Sequence, residues 1–191
     1  MKKSMIILIG IVVVILILIG NIVGTYNSLI EQRESVETAL SQIDNQLQRR
    51  NDLIPNLVST VKSYAAHEED IFTDIADARA RLAGANTVAE QAEGDAALTG
   101  ALSRLLAIAE NYPDLKANQN YIQLQDELAG TENRIATARR DYNEFSKDYN
   151  TKIQRFPTNI YAGMFGFQQV DYFTADEGAQ ENPNVGDLFE E

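Results

Sequence analysis

The sequence predicts an all-α protein: an N-terminal transmembrane helix, then an antiparallel up-down four-helix bundle with an aromatic C-terminal tail. Three observations carry this. Residues 5–24 read MIILIGIVVVILILIGNIVG, and no charge lies between Lys3 and Glu31. Beyond Leu29, apolar residues recur at three- and four-residue steps in four long stretches, the period of a helix with one buried face. Six aromatics, Phe156, Tyr161, Phe165, Phe167, Tyr172 and Phe173, then crowd a short segment that follows the last of these stretches.

The apolar run is the first element. As helix, residues 5–24 rise about 30 Å, the hydrocarbon thickness of a bilayer. Between Ile6 and Ile19 only Gly10 is not Ile, Leu or Val. Each such residue favours insertion by about 0.3–0.6 kcal/mol, so the sum outweighs Gly10, Gly20 and Asn21. A secretory signal peptide is the rival reading, because Lys2 and Lys3 give it a basic start. The length of the run, and an exit reading NIVGTYNSLI with no small-x-small cleavage site, favour a retained anchor. The two lysines also favour a cytoplasmic N-terminus and a body outside the cytoplasm.

Composition narrows what that body does. Sixteen basic residues face 28 acidic ones, net −12, and two of the basic ones precede the span. Such a surface repels nucleic acid and anionic lipid. With no cysteine, thiol catalysis, disulfides and thiolate zinc sites are excluded. The body is long enough for one domain with a real core.

In the first body helix, Val36, Leu40, Ile43, Leu47 and Ile54 form a stripe that is interrupted at Arg50. The helix is expected to grow straight out of the span and to end near Arg50 or Asn51. Asp52 would then cap a second helix, with Pro55 in its first turn, where no intrahelical donor is needed. One kinked helix running through Pro55 is the alternative. The second helix places Leu57, Val61, Tyr64, Ile71, Ile75, Ala78 and Leu82 on one face and stops at Gly84–Ala85–Asn86. The third, over residues 87–111, turns Ala97, Leu98, Ala101, Leu102, Leu105 and Ile108 inward, although Gly94 and Gly100 weaken its first half. Tyr112–Pro113–Asp114 breaks it. The fourth carries Tyr121, Leu124, Leu128, Ile135, Ala138, Tyr142, Phe145, Tyr149 and Ile153 and ends at Pro157. Four such helices with short joins pack best as an up-down bundle. The predicted organisation is a basic N-terminus (residues 1–4), the span (5–24), the bundle (25–156) and the tail (157–191). Because the first helix leaves the bilayer, the fourth returns to it, and the tail falls near the membrane end. That tail either caps the bundle or docks on membrane or partner. After Phe173 the chain turns acidic and proline-bearing; it is expected to be extended or mobile, with Phe189 available to dock.

Four blocks carry a family resemblance: YNSLIEQRESVETALSQIDNQLQRRNDLIPNLVSTVKSYAAHE at 26–68, NYPDLKANQNYIQLQDELAGTENRIATARRDYNEF at 111–145, YNTKIQRFP at 149–157, and the FGF…YF pattern at 165–173. Together they resemble the LemA family. The resemblance implies a membrane-anchored helical bundle with no established biochemical activity. It also implies frequent association with envelope stress or HtpX-type membrane protease systems. The family's short N-terminus is often described as lying outside the cell, opposite to what Lys2 and Lys3 predict.

The residues offer little chemistry. His67 is the only histidine, and its HEED context lacks the second histidine of a zinc-binding helix. No Glu stands three positions before it, as a bundle-core metal site requires. Glu68, Glu69 and Asp70 read as a solvated acidic face. Ser41 and Ser103 have no base in reach, and Gly163 and Gly166 read as turn residues. No enzymatic activity, cofactor or metal is expected. The favoured function is a scaffold or adaptor in the bacterial plasma (inner) membrane. The alternatives are a membrane-shape or lipid-interacting regulator, or a bundle-core metal or small-molecule binder. Candidate partner contacts are Arg49, Arg50, Asp52 and Asn56 at the expected first corner, and Tyr161, Phe165, Phe167, Tyr172 and Phe173 in the tail. Arg50 either pairs with Asp52 and caps the turn or is presented to a partner. Arg134, Arg139 and Arg140 are expected to pair with acidic neighbours. Expected partners are the bilayer through residues 5–24, envelope or membrane proteins including an HtpX-type protease, and a second copy of the chain; nucleic acid is not expected.

Overall fold

The computed structural model describes residues 2–174; the acidic C-terminal end with Phe189 lies outside them. The described residues are helical with no strand: α1 (Lys2–Lys62), α2 (Glu69–Ala83), α3 (Val88–Ala109), the short α4 (Pro113–Lys116), α5 (Gln119–Gln154) and α6 (Thr158–Phe165).

The predicted break at Asp52 does not occur. α1 runs unbroken through Pro55 to Lys62, so the single-helix alternative holds, Asp52 caps nothing, and the first turn of the chain lies at residues 63–68. Pro55 removes one intrahelical hydrogen bond, a cost of about 3 kcal/mol inside a helix. Packing offsets it: Ile54, Leu57 and Val61, on both sides of the proline, are wholly buried. A helix break there would disrupt one continuous buried face.

The remaining boundaries have local causes. Thr87 caps α3 through a capping box, its hydroxyl accepting from the Glu90 N–H at 3.1 Å while the Glu90 carboxylate accepts from the Thr87 N–H at 3.2 Å. Asn118 caps α5, its Oδ1 accepting from the N–H groups of Asn120 and Tyr121 at 2.9 and 3.2 Å. Gly166 ends α6 in the left-handed region at φ 75°, which favours glycine.

The described residues divide into two compact units, residues 2–41 with 140–170, and residues 42–139 with 171–174. In the first unit, the apolar segment of α1 has no buried residue, only Ile22 being half-buried, and it is long and apolar enough to cross a membrane. Beyond it, Leu29, Val36 and Ala39 are buried, as are Tyr142, Ser146, Tyr149 and Ile153 of α5. Phe145, expected inside, is exposed, because the strict three-four alternation from Tyr142 to Tyr149 turns Ser146 inward instead.

The second unit has the larger core. Ile54, Leu57 and Val61 of α1 join Ile71, Ile75 and Ala78 of α2, Leu98, Ala101, Leu102 and Leu105 of α3, Leu115 of α4, and Tyr121 and Leu128 of α5 in one cluster. Tyr64, placed on the second helix by periodicity, instead lies in the turn after α1; its hydroxyl accepts from the Asn118 side chain at 3.1 Å. α2 and α3 pack closely where Gly94 meets Leu82: a Cβ on Gly94 would stand 2.8 Å from the Leu82 Cα. Gly94, which weakens α3 by its low helix propensity, is therefore what admits its neighbour.

Candidate functional site

The residue that breaks the stripe of α1 leads into the core of the second unit. Arg50 is only 3% exposed, and its partner is not Asp52 but Asp95 of α3, itself 1% exposed. Arg50 Nη1 meets Asp95 Oδ1 at 2.7 Å and Glu132 of α5 at 3.0 Å, and Nη2 donates to the Thr99 hydroxyl at 2.9 Å. On the other side of the same carboxylate, Arg139 Nη2 donates to Asp95 Oδ2 at 2.6 Å. The Arg139 guanidinium lies 5.1 Å from the centre of the Phe173 ring. Two cations thus share one buried carboxylate, with Glu132 as a second, half-exposed anion, and the charges balance. Burying an unpaired guanidinium would cost several kcal/mol; pairing makes the burial tolerable.

The other predicted contacts separate. Asp52 is exposed and accepts from the Gln48 amide at 2.8 Å. Arg49 is exposed, 4.0 Å from Glu127, and Asn56 is exposed one turn beyond Asp52. Arg49, Asp52 and Asn56 therefore form an outward strip in mid-helix, not a corner, and Arg50 is not part of it. Of the other arginines, Arg140 pairs with Asp141 at 3.2 Å across the surface.

The tail is neither wholly a cap nor wholly free. In the first unit, Phe167 and Ala162 are buried, while Phe165 is exposed and Tyr161 half-buried. Tyr26, just past the apolar segment of α1, meets Phe165 and Phe167 edge-on, with ring centres 5.1 and 5.7 Å away. The tail therefore lies beside the end of the apolar segment of α1. Asn150 of α5 fastens it: its Nδ2 donates to the Val170 carbonyl at 2.8 Å, and its Oδ1 accepts from the Val170 N–H at 2.9 Å. Lys152 donates to the Ser28 hydroxyl. In the second unit Phe173 is buried and Tyr172 exposed.

Among the described residues, no three His, Asp or Glu side chains form a group that could hold a metal ion. His67 is exposed in the turn after α1. Three tyrosines titrate above their ordinary value. Burial is the main cause at Tyr112, reinforced by the Glu68 carboxylate that accepts its hydroxyl at 3.3 Å. Burial also acts at Tyr121, with Glu110 adding to it, and at Tyr149, where Arg33 opposes and Glu37 assists.

Residues 39–186 match the LemA family model. The chain belongs to the LemA family. The match begins beyond the apolar segment and takes in Arg50, Asp95, Arg139 and the aromatic tail. Among curated proteins, this LemA-family chain is 29% identical to magnetosome protein MamQ 2 of Paramagnetospirillum magneticum, with 91% of this chain aligned to 73% of that one. It is 28% identical to magnetosome protein MamQ of Magnetospirillum gryphiswaldense, over 78% of this chain and 64% of that one. To protein LemA of Metamycoplasma hominis it is 27% identical, over 87% and 76%.

Sequence reasoning marked Arg50 and missed Asp95. The signal was present: Asp95 lies three residues before Leu98 and seven before Leu102, on the inward face of α3. It is a lone acid among apolar positions, as Arg50 is a lone base on the apolar stripe of α1.

Proposed function

We propose that this chain is a single-pass, membrane-anchored scaffold or adaptor of the bacterial plasma membrane, without enzymatic activity of its own. One observation carries the reading: an exposed apolar segment of bilayer length and the core residues Ile54, Leu57 and Val61 belong to one uninterrupted helix, α1. A helix that passes without a break from lipid to core suits a tethered docking body. The body is an up-down bundle of α1, α2, α3 and α5; the short joins and the shared core of those helices support this. The ionisable groups that do converge, Arg50, Asp95, Glu132 and Arg139, neutralise one another, which suits architecture rather than chemistry.

The body lies outside the cytoplasm, by the rule that places Lys2 and Lys3 inside. The partner-facing surface is the outward strip of Arg49, Asp52 and Asn56. The partner is another envelope or membrane protein, an HtpX-type protease by the family resemblance, or a second copy. Photo-crosslinkers at these three positions, activated in intact cells expressing the full chain, should give adducts of defined mass. Recovery of monomer alone from all three positions would refute the scaffold reading. Digestion of the C-terminus by protease added to intact spheroplasts tests the side of the membrane; a fully protected C-terminus would reverse the orientation.

A further inference from the structure

We infer that α6 is a membrane-seated helix, lying on the bilayer surface beside the exit of the span and holding the end of α5 there. Its occupant is lipid. The inference rests on reading residues 5–24 as the bilayer span.

The placement comes first. Tyr26 follows the last residue of the span by two positions, a rise of about 3 Å along the helix, so its ring stands at the depth where tyrosines gather in membrane interfaces. Phe165 and Phe167 pack on that ring. α6 is thus held at headgroup level, fastened from behind by the two hydrogen bonds between Asn150 and Val170.

The surface agrees with the place. α6 reads TNIYAGMF and carries no charge. Ala162 is buried, whereas Phe156, Ile160 and Met164, spaced four residues apart, are 81%, 52% and 75% exposed. Side chains of this size and exposure are otherwise concentrated in the span itself, where Val23 is 52% exposed. Two segments adjoining at Tyr26 with the same apolar exposure call for the same solvent.

Charge agrees with lipid. From Tyr149 to Val170 the only charged residues are Lys152 and Arg155, in a chain of net −12. The stretch beside the membrane is therefore locally cationic, suited to anionic headgroups. The body as a whole is acidic and repels anionic lipid; this segment, carrying Lys152 and Arg155, attracts it.

The chain has no tryptophan, so one introduced tryptophan reports its own surroundings. Full-length protein carrying Met164→Trp, and separately Ile160→Trp, is reconstituted into phosphatidylethanolamine/phosphatidylglycerol vesicles containing lipids brominated near the carbonyl end of the acyl chains. Val23→Trp reports the span and Ala107→Trp, on the exposed side of α3, reports water. The expected result is bromolipid quenching of both α6 reporters comparable with that of Val23→Trp, and loss of their quenching by aqueous iodide. Iodide quenching equal to that of Ala107→Trp, with no bromolipid effect, overturns the proposal. So does shielding from both quenchers, which would mean that protein covers the face. If Val23→Trp itself escapes bromolipid, the span fails and α6 with it; if Val23→Trp is quenched and the α6 reporters are not, only the α6 proposal falls.

Discussion

Asp95 is the most exacting test of the core. Its carboxylate faces Arg50 at 2.7 Å and Arg139 at 2.6 Å. Asp95→Asn keeps the shape and removes the charge, leaving two guanidinium groups beside an amide whose oxygen still accepts from one while its NH2 turns a donor toward the other. Breaking a buried ion pair by removing one partner costs about 3–5 kcal/mol. Here the lower end applies, because Arg50 retains Glu132 at 3.0 Å and Arg139 already has access to water. About 3 kcal/mol in a chain of this size lowers Tm by about 6–12 °C. The measurement is thermal and urea unfolding of the full chain in detergent, followed by circular dichroism and by tyrosine absorbance, with coincident transitions as the condition for extracting a free energy. The double variant Arg50→Met with Asp95→Leu removes both buried charges and should recover part of the loss, since an apolar pair of similar volume needs no desolvated partner, while Arg139 is left with its access to water. Asp95→Asn within about 0.5 kcal/mol of wild type, a surface-like value, would refute the reasoning. So would a double variant whose cost equals the sum of its singles.

Three further outcomes are expected. Gly94→Ala should lose about 1–3 kcal/mol by forcing α2 from α3 at Leu82, whereas Gly100→Ala, whose Cβ meets nothing within 4 Å, should gain up to about 1 kcal/mol from helix propensity; equal effects would contradict the close approach. Asn150→Ala should cost about 1–3 kcal/mol by leaving the Val170 backbone groups without the side chain that pairs both of them, and should open residues 157–170 to limited proteolysis; an unchanged cleavage pattern would show that other contacts hold the tail. Finally, the raised pKa values of Tyr112, Tyr121 and Tyr149 mean that the unfolded chain loses these protons first as pH rises. Their contribution is complete below the ordinary tyrosine value of 10.0 and falls away above it. Stability measured across that range should drop as tyrosinate absorbance grows, and three tyrosines titrating normally in the folded chain would contradict the assigned burial.

Much of the fold was legible because helices announce their buried face. The stripes through Ile43, Leu47 and Ile54, through Leu98, Leu102 and Leu105, and through Tyr142, Tyr149 and Ile153 mark residues that are buried. Where reading failed, a local rule met a stronger nonlocal one. Asp52 and Pro55 form a sound helix start taken alone, but Ile54 and Leu57 are needed on one continuous face, and packing overrode the local signal. Phe145 looks like core by hydrophobicity, yet the register of α5 turns Ser146 inward. The tail gave its composition but not its division: nothing in FPTNIYAGMFGF says that Phe167 is buried while Phe156 and Met164 face out.

By itself the sequence determined a helix long and apolar enough to cross a membrane, because that property depends only on length and apolarity along the chain, and it determined the all-α class, because helical periodicity is a local property. Only the tertiary structure decided what the two misfit charges are for. Arg50 and Asp95 stand 45 positions apart, each an anomaly on its own helix, and packing brings them within 2.7 Å. Local spacing marks each charge as an anomaly but cannot name its partner, because charge complementarity acts across space, so the pair becomes visible only once α1, α3 and α5 share a core.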